Sequence, residues 1–470
     1  MKLHQIALAV AATLSAPAFA ATGLPGNLNI TTGVAADHIV YVSGASAVSG
    51  NFGVLATSLC SVAPVVYSDD LDGKQVKAYS CASASVGNGV FTEAAPFIIV
   101  KRDKDGSFAG VGPVMASSAT VGALDWLDLT KCNATNKLCE FDALNKAATN
   151  AASTVNYITD TSGAVMIQPD AGMSDVEIAL WDARGQLTAY APFKAVTSDA
   201  AQAVQGFGVF ASAALYAEMQ ASQIARGEID SSCSGVITPG KCQPNISTAE
   251  YATLADANNF ATDINVQLLN GGSYTSPLAT GAYHICRRVP TSGTQATSDA
   301  HFMKNPCQLT NDPTFGFLTP ATAGTAGNRT VVEGSSTGNA LDCADNSKNA
   351  GRMALGVASM ENASKAGAGK FLWVKLDGVS PNLDSAARQN GVEGRMSMAS
   401  ELQTLWPAGG ADGSKATVDL LMPKLNEKLA DPANYSSLPG LWINPLNSLG
   451  STGSLVGIKT RSGNTCNPQQ

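Results

Sequence analysis

Residues 281–302 read GAYHICRRVPTSGTQATSDAHF. The first nine have the aromatic and branched content of a strand, and they carry Arg287 and Arg288. Ser292-Gly293-Thr294 follows, and then a segment of helical character. A strand, a tight Ser/Gly turn and a helix start leave backbone N–H groups free. Fixed guanidinium charge beside such a turn suits an anion or an oxygen-rich ligand. An α/β fold is implied wherever this strand–turn–helix unit repeats.

It does repeat. HIVYVSGASAVSGNFGVLATSLC gives a strand at 38–42, a Gly/Ser turn and a helix from Ser49 to Cys60. PFIIVKRDKDGSFAGVG gives a strand at 96–101 and a loop at 102–112, with a helix from Pro113. VMIQPDAGMSDVEIALW gives a strand, a turn over 170–175 and a helix. GFGVFASAALYAEM gives a strand at 206–211 and then a helix whose Leu215, Met219 and Ile224 lie near one face. ISTAEYATLADA carries a capping-box pattern at a helix start. GRMALGVASMEN and KFLWVKLDGV are further strands, and residues 317–340, rich in Gly, Thr and Ala, read as a loop. Residues 131–154 should hold a disulfide loop and a short helix, and residues 228–247 a Cys/Gly/Pro-rich insertion. The expected fold class is α/β with mixed, largely parallel sheets.

The beginning of the chain sets the compartment. A short basic start at Lys2, an apolar run at 6–16 and Ala18-Phe19-Ala20 form a secretory signal that ends at residue 20. The expected location is the periplasm or the exterior, with no lipid anchor. Charged residues are only 14% of the chain and the formal net charge is −8. No basic stripe is present to neutralise a phosphate backbone, which excludes nucleic acid as a partner. No long apolar run follows the leader, so no stable membrane insertion is expected.

The ten cysteines are Cys60, Cys81, Cys132, Cys139, Cys233, Cys242, Cys286, Cys307, Cys343 and Cys466. An even number in an exported chain reads as disulfides. Cys132 with Cys139, Cys233 with Cys242, and Cys60 with Cys81 have the spacing of local pairs. The pairing of the last four stays open.

Enzyme patterns fail one by one. Gly334-Ser335-Ser336-Thr337-Gly338 matches a nucleophile elbow, but no histidine follows His301, so the required chain order is impossible. His38 and His284 sit in apolar strands, and His301 lies in the helix after the turn. Histidines this scattered make no metal site. No Walker A or dinucleotide fingerprint is present. The expectation is no catalysis, no cofactor and no metal.

Taken in order, the motifs VSGASAVSG, GMSDVEIALW, GFGVFASAALYAEM, RRVPTSGTQA and GRMALGVASMEN resemble the type II periplasmic binding-protein fold. Within it they resemble the phosphate-binding proteins of ABC import systems, and most of all a divergent exported proteobacterial branch of them. The resemblance implies two α/β lobes with a ligand cleft between them. It implies residues 1–20 as signal peptide, 21–205 as the first part of lobe 1, 206–364 as lobe 2 and 365–470 as the lobe 1 return and tail, with crossovers near 205 and 360. It implies Asp175 as a carboxylate that accepts a ligand proton, and Arg288 as the bidentate cation, with Arg287 its less favoured neighbour. Ser292, Gly293 and Thr294 become the donor turn, and Ser46 and Ser107 the serines of the first two loops. Two departures stand out. Val48-Ser49 replaces a Thr-Phe pair, and Pro290 replaces an acid.

The expected function is capture of phosphate, or of a related oxyanion or phosphorylated ligand, with an ABC permease as partner. The alternative is a non-catalytic surface or secreted structural protein on the same fold, and a secreted phosphatase-like hydrolase ranks third.

Overall fold

The computed structural model describes residues 27–69, 75–82, 95–141, 165–199, 203–257, 283–307, 318–345, 352–367, 370–381, 395–434, 440–443, 456–457 and 460–467. The signal-peptide expectation and the short helix expected after Cys139 lie outside them.

The first half builds one large sheet. Its main strands are β1 (Ile39–Gly44), β2 (Val65–Asp69), β3 (Val76–Cys81), β4 (Phe97–Arg102), β5 (Ala171–Ser174) and β6 (Thr197–Asp199), with α1 (Ser49–Leu59) after β1 and α2 (Ile178–Ala183) after β5. The second sheet is built from β7 (Ala203–Ser212), β8 (Tyr283–Arg288), β9 (Arg329–Gly334), β10 (Met353–Ser359) and β11 (Phe371–Trp373). Helix α3 (Ala213–Ala225) follows β7, α4 (Gly293–Ser298) follows β8, and α5 (Thr337–Asp342) follows β9. The chain then re-enters the first sheet as β12 (Gln403–Trp406), and α6 (Ala416–Leu429) packs beneath it.

The middle of the first sheet runs β3-β4-β1-β5-β12-β6. Strand β1 pairs in parallel with both β4 and β5, so the strand order reverses there. Such a switch point opens a crevice at the strand carboxyl ends. These strands are buried on both faces, and they read as unbroken apolar runs. Burial extends even to Lys101 and Arg102 at the end of β4. In the second sheet β8 lies parallel between β9 and β10, and its carboxyl end faces the same crevice.

Phe52, Leu55 and Leu59 of α1 and Leu421, Met422 and Leu425 of α6 form the main core of the first lobe. Each such side chain contributes about 1.5–3 kcal/mol. A separate core of Leu215, Tyr216 and Met219 against Ile285, Leu355 and Val357 holds the second lobe. A third cluster spans both: Phe108, Trp181 and Leu405 of the first lobe pack with Ala296 of α4.

Four sequence expectations change. Residues 171–174 form β5 instead of a turn, because β1 and β12 pair with them on either side. Residues 317–340, expected as loop, contain β9 and α5. The return from 365 is late: Phe371–Trp373 and Ala399–Glu401 still pair with β7, and the first sheet is regained at Gln403. His38 ends a 3-10 turn rather than lying in a strand.

All ten cysteines are paired. The three local pairs form as read, and the remaining four pair as Cys286–Cys343 and Cys307–Cys466. The second of these ties the end of the chain to the segment after α4. The same tail reaches the first lobe, where the Thr465 N–H donates to Glu177 at 3.0 Å. Among the described residues, no helix is long and apolar enough to cross a membrane.

Candidate functional site

Four loops meet at the crevice. After β1, Gly44 and Ala45 both adopt positive φ, and Ser46 opens a 3-10 turn into α1. Gly44 packs against Gly110 and the Met173 carbonyl so closely that a Cβ has no room. This contact draws the ends of β1, β4 and β5 together. After β4, Lys101 and Asp103 form a buried ion pair at 2.5 Å, and Ser107 opens a turn with no exposure. After β5, Ser174 is held by Trp181 and Val176, which leaves Asp175 facing the crevice. After β8, the Ser292 N–H donates to the Val289 carbonyl at 2.9 Å and closes the turn before α4.

The second-lobe turn docks directly on the first lobe. The Phe108 N–H donates to the Thr291 carbonyl at 3.0 Å. Gly293 lies against Asp175 and Ser107: a Cβ there would stand 2.6 Å from both Asp175 Oδ2 and Ser107 Oγ. Glycine is therefore required at 293 by space, not by backbone torsion.

Five polar atoms gathered here meet no hydrogen-bond partner within the protein: Ser107 Oγ, both Asp175 oxygens, Ser292 Oγ and Thr294 Oγ1. All four residues are at most 1% exposed. Burial raises the Asp175 carboxyl from its ordinary value to about 6, while Ser107, Arg288 and Lys101 act in the opposite sense and Asp103 adds to the rise. The Ser107 hydroxyl is close enough to favour the carboxylate, but the pair lacks good hydrogen-bond geometry.

Arg288 is buried and crosses the crevice. Its Nη1 and Nη2 both donate to Ser46 Oγ at 3.3 Å. The other donors are held by the second lobe: Nε to the Gly334 carbonyl at 3.2 Å, Nη1 to Thr337 Oγ1 at 2.9 Å and Nη2 to the Ser335 carbonyl at 3.0 Å. Burial lowers its pKa to about 10, with Asp175, Asp103 and Asp105 opposing. Arg287 points elsewhere, to Glu333 at 2.5 Å and to the Ala321 carbonyl at 2.6 Å.

The structure thus brings Ser107, Asp175, Ser292, Gly293 and Thr294 to one place, with Arg288 and Ser46 linked beside them. Sequence reasoning missed three neighbours. Lys101 reads as a surface cation, yet it is 1% exposed and its Nζ donates to the Gly44 carbonyl. Asn51 in α1 has a buried, unpartnered Oδ1. Glu361, beyond β10, lies beside Gly50 at the start of α1: its Oε2 is 3.6 Å from where a Cβ at Gly50 would stand. The ion-pair spacing of Lys101 and Asp103 was the one available signal. His301 lies outside this cluster, 3.4 Å from Thr248 Oγ1, and burial pulls its pKa down to about 4. Ser336 of the elbow-like motif is the N-cap of α5, and its hydroxyl is taken by Asn339. Among the described residues, no group of three or more His, Cys, Asp and Glu side chains is placed to hold a metal ion.

No family model matches the chain, and no curated protein matches it. Similarity appears among solved structures. One is an ABC-type phosphate transport receptor from Vibrio cholerae, at 11% identity and a TM-score of 0.38, over 85% of this chain and 99% of that one. Another is a putative phosphate ABC transporter substrate-binding protein with bound phosphate from Clostridium perfringens, at 11% identity and a TM-score of 0.37, over 83% and 96%. A possible phosphate binding protein from Planctomyces limnophilus is similar at 14% identity and a TM-score of 0.29, over 58% and 76%. This chain is a two-lobed α/β protein with a cleft between its lobes, and what that cleft can hold is set by its own groups.

Proposed function

We propose that this chain is an exported solute-binding protein that captures a small oxyanion, phosphate or a phosphate-like group, between its lobes. It does no chemistry on the ligand, and it delivers it to an ABC-type importer. One observation carries the reading: five buried polar atoms from both lobes converge without protein partners. Leaving such groups unmet costs about 1–3 kcal/mol each. A tetrahedral oxyanion answers them together. It accepts from Ser107, Ser292 and Thr294, and it gives one proton to Asp175. Arg288 supplies the opposite charge across the crevice.

A second reading has its own support. Every Arg288 donor already meets a protein oxygen. That arrangement suits a permanently closed structural protein. Thermal unfolding with inorganic phosphate, sulfate and phosphate monoesters separates the two. A specific binder is stabilised by about 2.7 kcal/mol at a hundredfold excess over Kd. No shift with any of these anions supports the structural reading instead.

A further inference from the structure

One disulfide stands apart in both place and access. Cys60–Cys81, Cys132–Cys139, Cys233–Cys242 and Cys286–Cys343 each join residues of a single lobe, and all of these cysteines are at most 8% exposed. In Cys307–Cys466, by contrast, Cys307 is half-buried and Cys466 is exposed. Thiol–disulfide exchange begins when a thiolate reaches a sulfur, so this is the bond open to attack.

The same bond links the two walls of the cleft. Cys307 comes shortly after α4, whose entry turn carries Ser292, Gly293 and Thr294. It packs against the cluster of Phe108, Trp181 and Ala296 that spans the lobes. Cys466 follows Thr465, whose N–H and hydroxyl donate to the Glu177 carboxylate at 3.0 Å and 2.7 Å. Glu177 is the N-cap of α2, two residues after Asp175. Two consecutive tail residues therefore tie the segment with the hydroxyl donors to the loop with the carboxylate.

Other anchors of the tail do not depend on the disulfide. Thr460 Oγ1 and the Arg461 N–H donate to Glu401 at 2.6 Å and 2.7 Å, and Arg461 Nη2 donates to the Ser397 carbonyl at 2.6 Å. With the disulfide cut, these contacts and the Glu177 contact keep the tail in place, while its covalent tie to the α4 segment is gone. Arg461 Nη1 donates to the carbonyls of Thr465 and Asn467, on either side of Cys466. Fixed positive charge there favours a thiolate at Cys466, which makes it a better leaving group.

We propose that Cys307–Cys466 is a redox gate on the cleft: reduction by a dithiol frees the α4 segment from the tail, and the captured oxyanion is then held more weakly. This rests on the oxyanion reading above. One thiolate of the dithiol attacks the exposed Cys466 sulfur, the S–S bond breaks, and Cys307 leaves as a thiolate that takes up a proton. The second thiol of the reductant then closes its own disulfide and releases Cys466, which is protonated in turn. The protein pair gains two electrons and two protons, and the dithiol is oxidised. The Arg184–Asp299 pair and the Phe108–Thr291 hydrogen bond still dock the lobes, so the reduced form stays folded.

The test treats the folded full chain with increasing dithiothreitol and maps free thiols by alkylation and mass spectrometry. Cys307 and Cys466 should be labelled before any other cysteine. Calorimetric titration of that selectively reduced protein with inorganic phosphate should show affinity about tenfold below that of the oxidised protein. Reoxidation with oxidised glutathione should restore it. The double variant Cys307→Ser, Cys466→Ser should bind like the reduced protein and should not respond to dithiothreitol. Labelling of another pair first overturns the gate, as does equal phosphate affinity in the oxidised and reduced forms, and both results leave the oxyanion reading standing. If the double variant does not fold, the wild type decides alone: a reversible loss supports the gate, and no loss, or unfolding on selective reduction, overturns it. No phosphate binding by the folded oxidised protein removes the oxyanion reading, and the gate with it.

Discussion

Gly293 shows how little slack the cleft has. A methyl group there would stand 2.6 Å from Asp175 Oδ2 and Ser107 Oγ, and neither can retreat into solvent. Gly293→Ala should therefore lower stability by about 1–3 kcal/mol and abolish any ligand-induced thermal shift. Asp175 predicts the opposite sign for stability. Its carboxyl is raised to about 6 by burial, so it costs nothing in acid and destabilises the fold as pH rises from about 4 through 6. At pH 8 that cost is on the order of 2–3 kcal/mol. Asp175→Asn should melt higher than wild type at pH 8, match it at pH 4 and lose the response to phosphate, all measurable by thermal unfolding. Asp175, Arg288 and the Ser292–Thr294 turn were legible because each sits in a short motif. Lys101, Asn51 and Glu361 were not, because their surroundings come from strands far apart in sequence.

At the scale of elements, local signals were read well and pairing signals were not. The capping box on the helix from Thr248 is present: Ser247 Oγ accepts from the Glu250 N–H, and the Glu250 carboxylate accepts from the Ser247 N–H. Ser247→Ala should cost about 1 kcal/mol in chemical denaturation and leave ligand binding unchanged. Helix α1 likewise starts at Ser49 as read, since the Gly/Ser turn before it is local chemistry. Strands β5 and β9 escaped notice. AGMS carries weak propensity and is a strand because β1 and β12 pair with it. RTVVEG holds a short β-branched run, Thr330 to Val332, inside a Gly/Thr/Ala-rich stretch, and β8 pairs with it. The same non-local pairing delivers Asp175 to the cleft, so the carboxylate was recognised before its position could be explained.

Across the whole molecule, the lobes are held by more than their crossovers. Leu402, between the strand that still pairs with β7 and the start of β12, donates its N–H to the Ala203 carbonyl at 2.9 Å, so the two crossover segments lie side by side. Arg184 of the first lobe pairs with Asp299 of the second at 3.0 Å. The tail adds a strap: Cys466 is bonded to Cys307 in the second lobe while Thr465 binds Glu177 in the first. Replacing Cys307 and Cys466 by serine should cost about 2–5 kcal/mol. It should also speed phosphate dissociation and raise hydrogen exchange at 460–467. The even cysteine count announced disulfides, but this strap depends on lobe docking, which no spacing encodes. Calorimetric titration of the full chain with inorganic phosphate at pH 6 tests the central claim most directly. Saturable binding of one phosphate per chain, lost in Gly293→Ala and Asp175→Asn, is the predicted result. No binding, or binding unchanged in both variants, would contradict it.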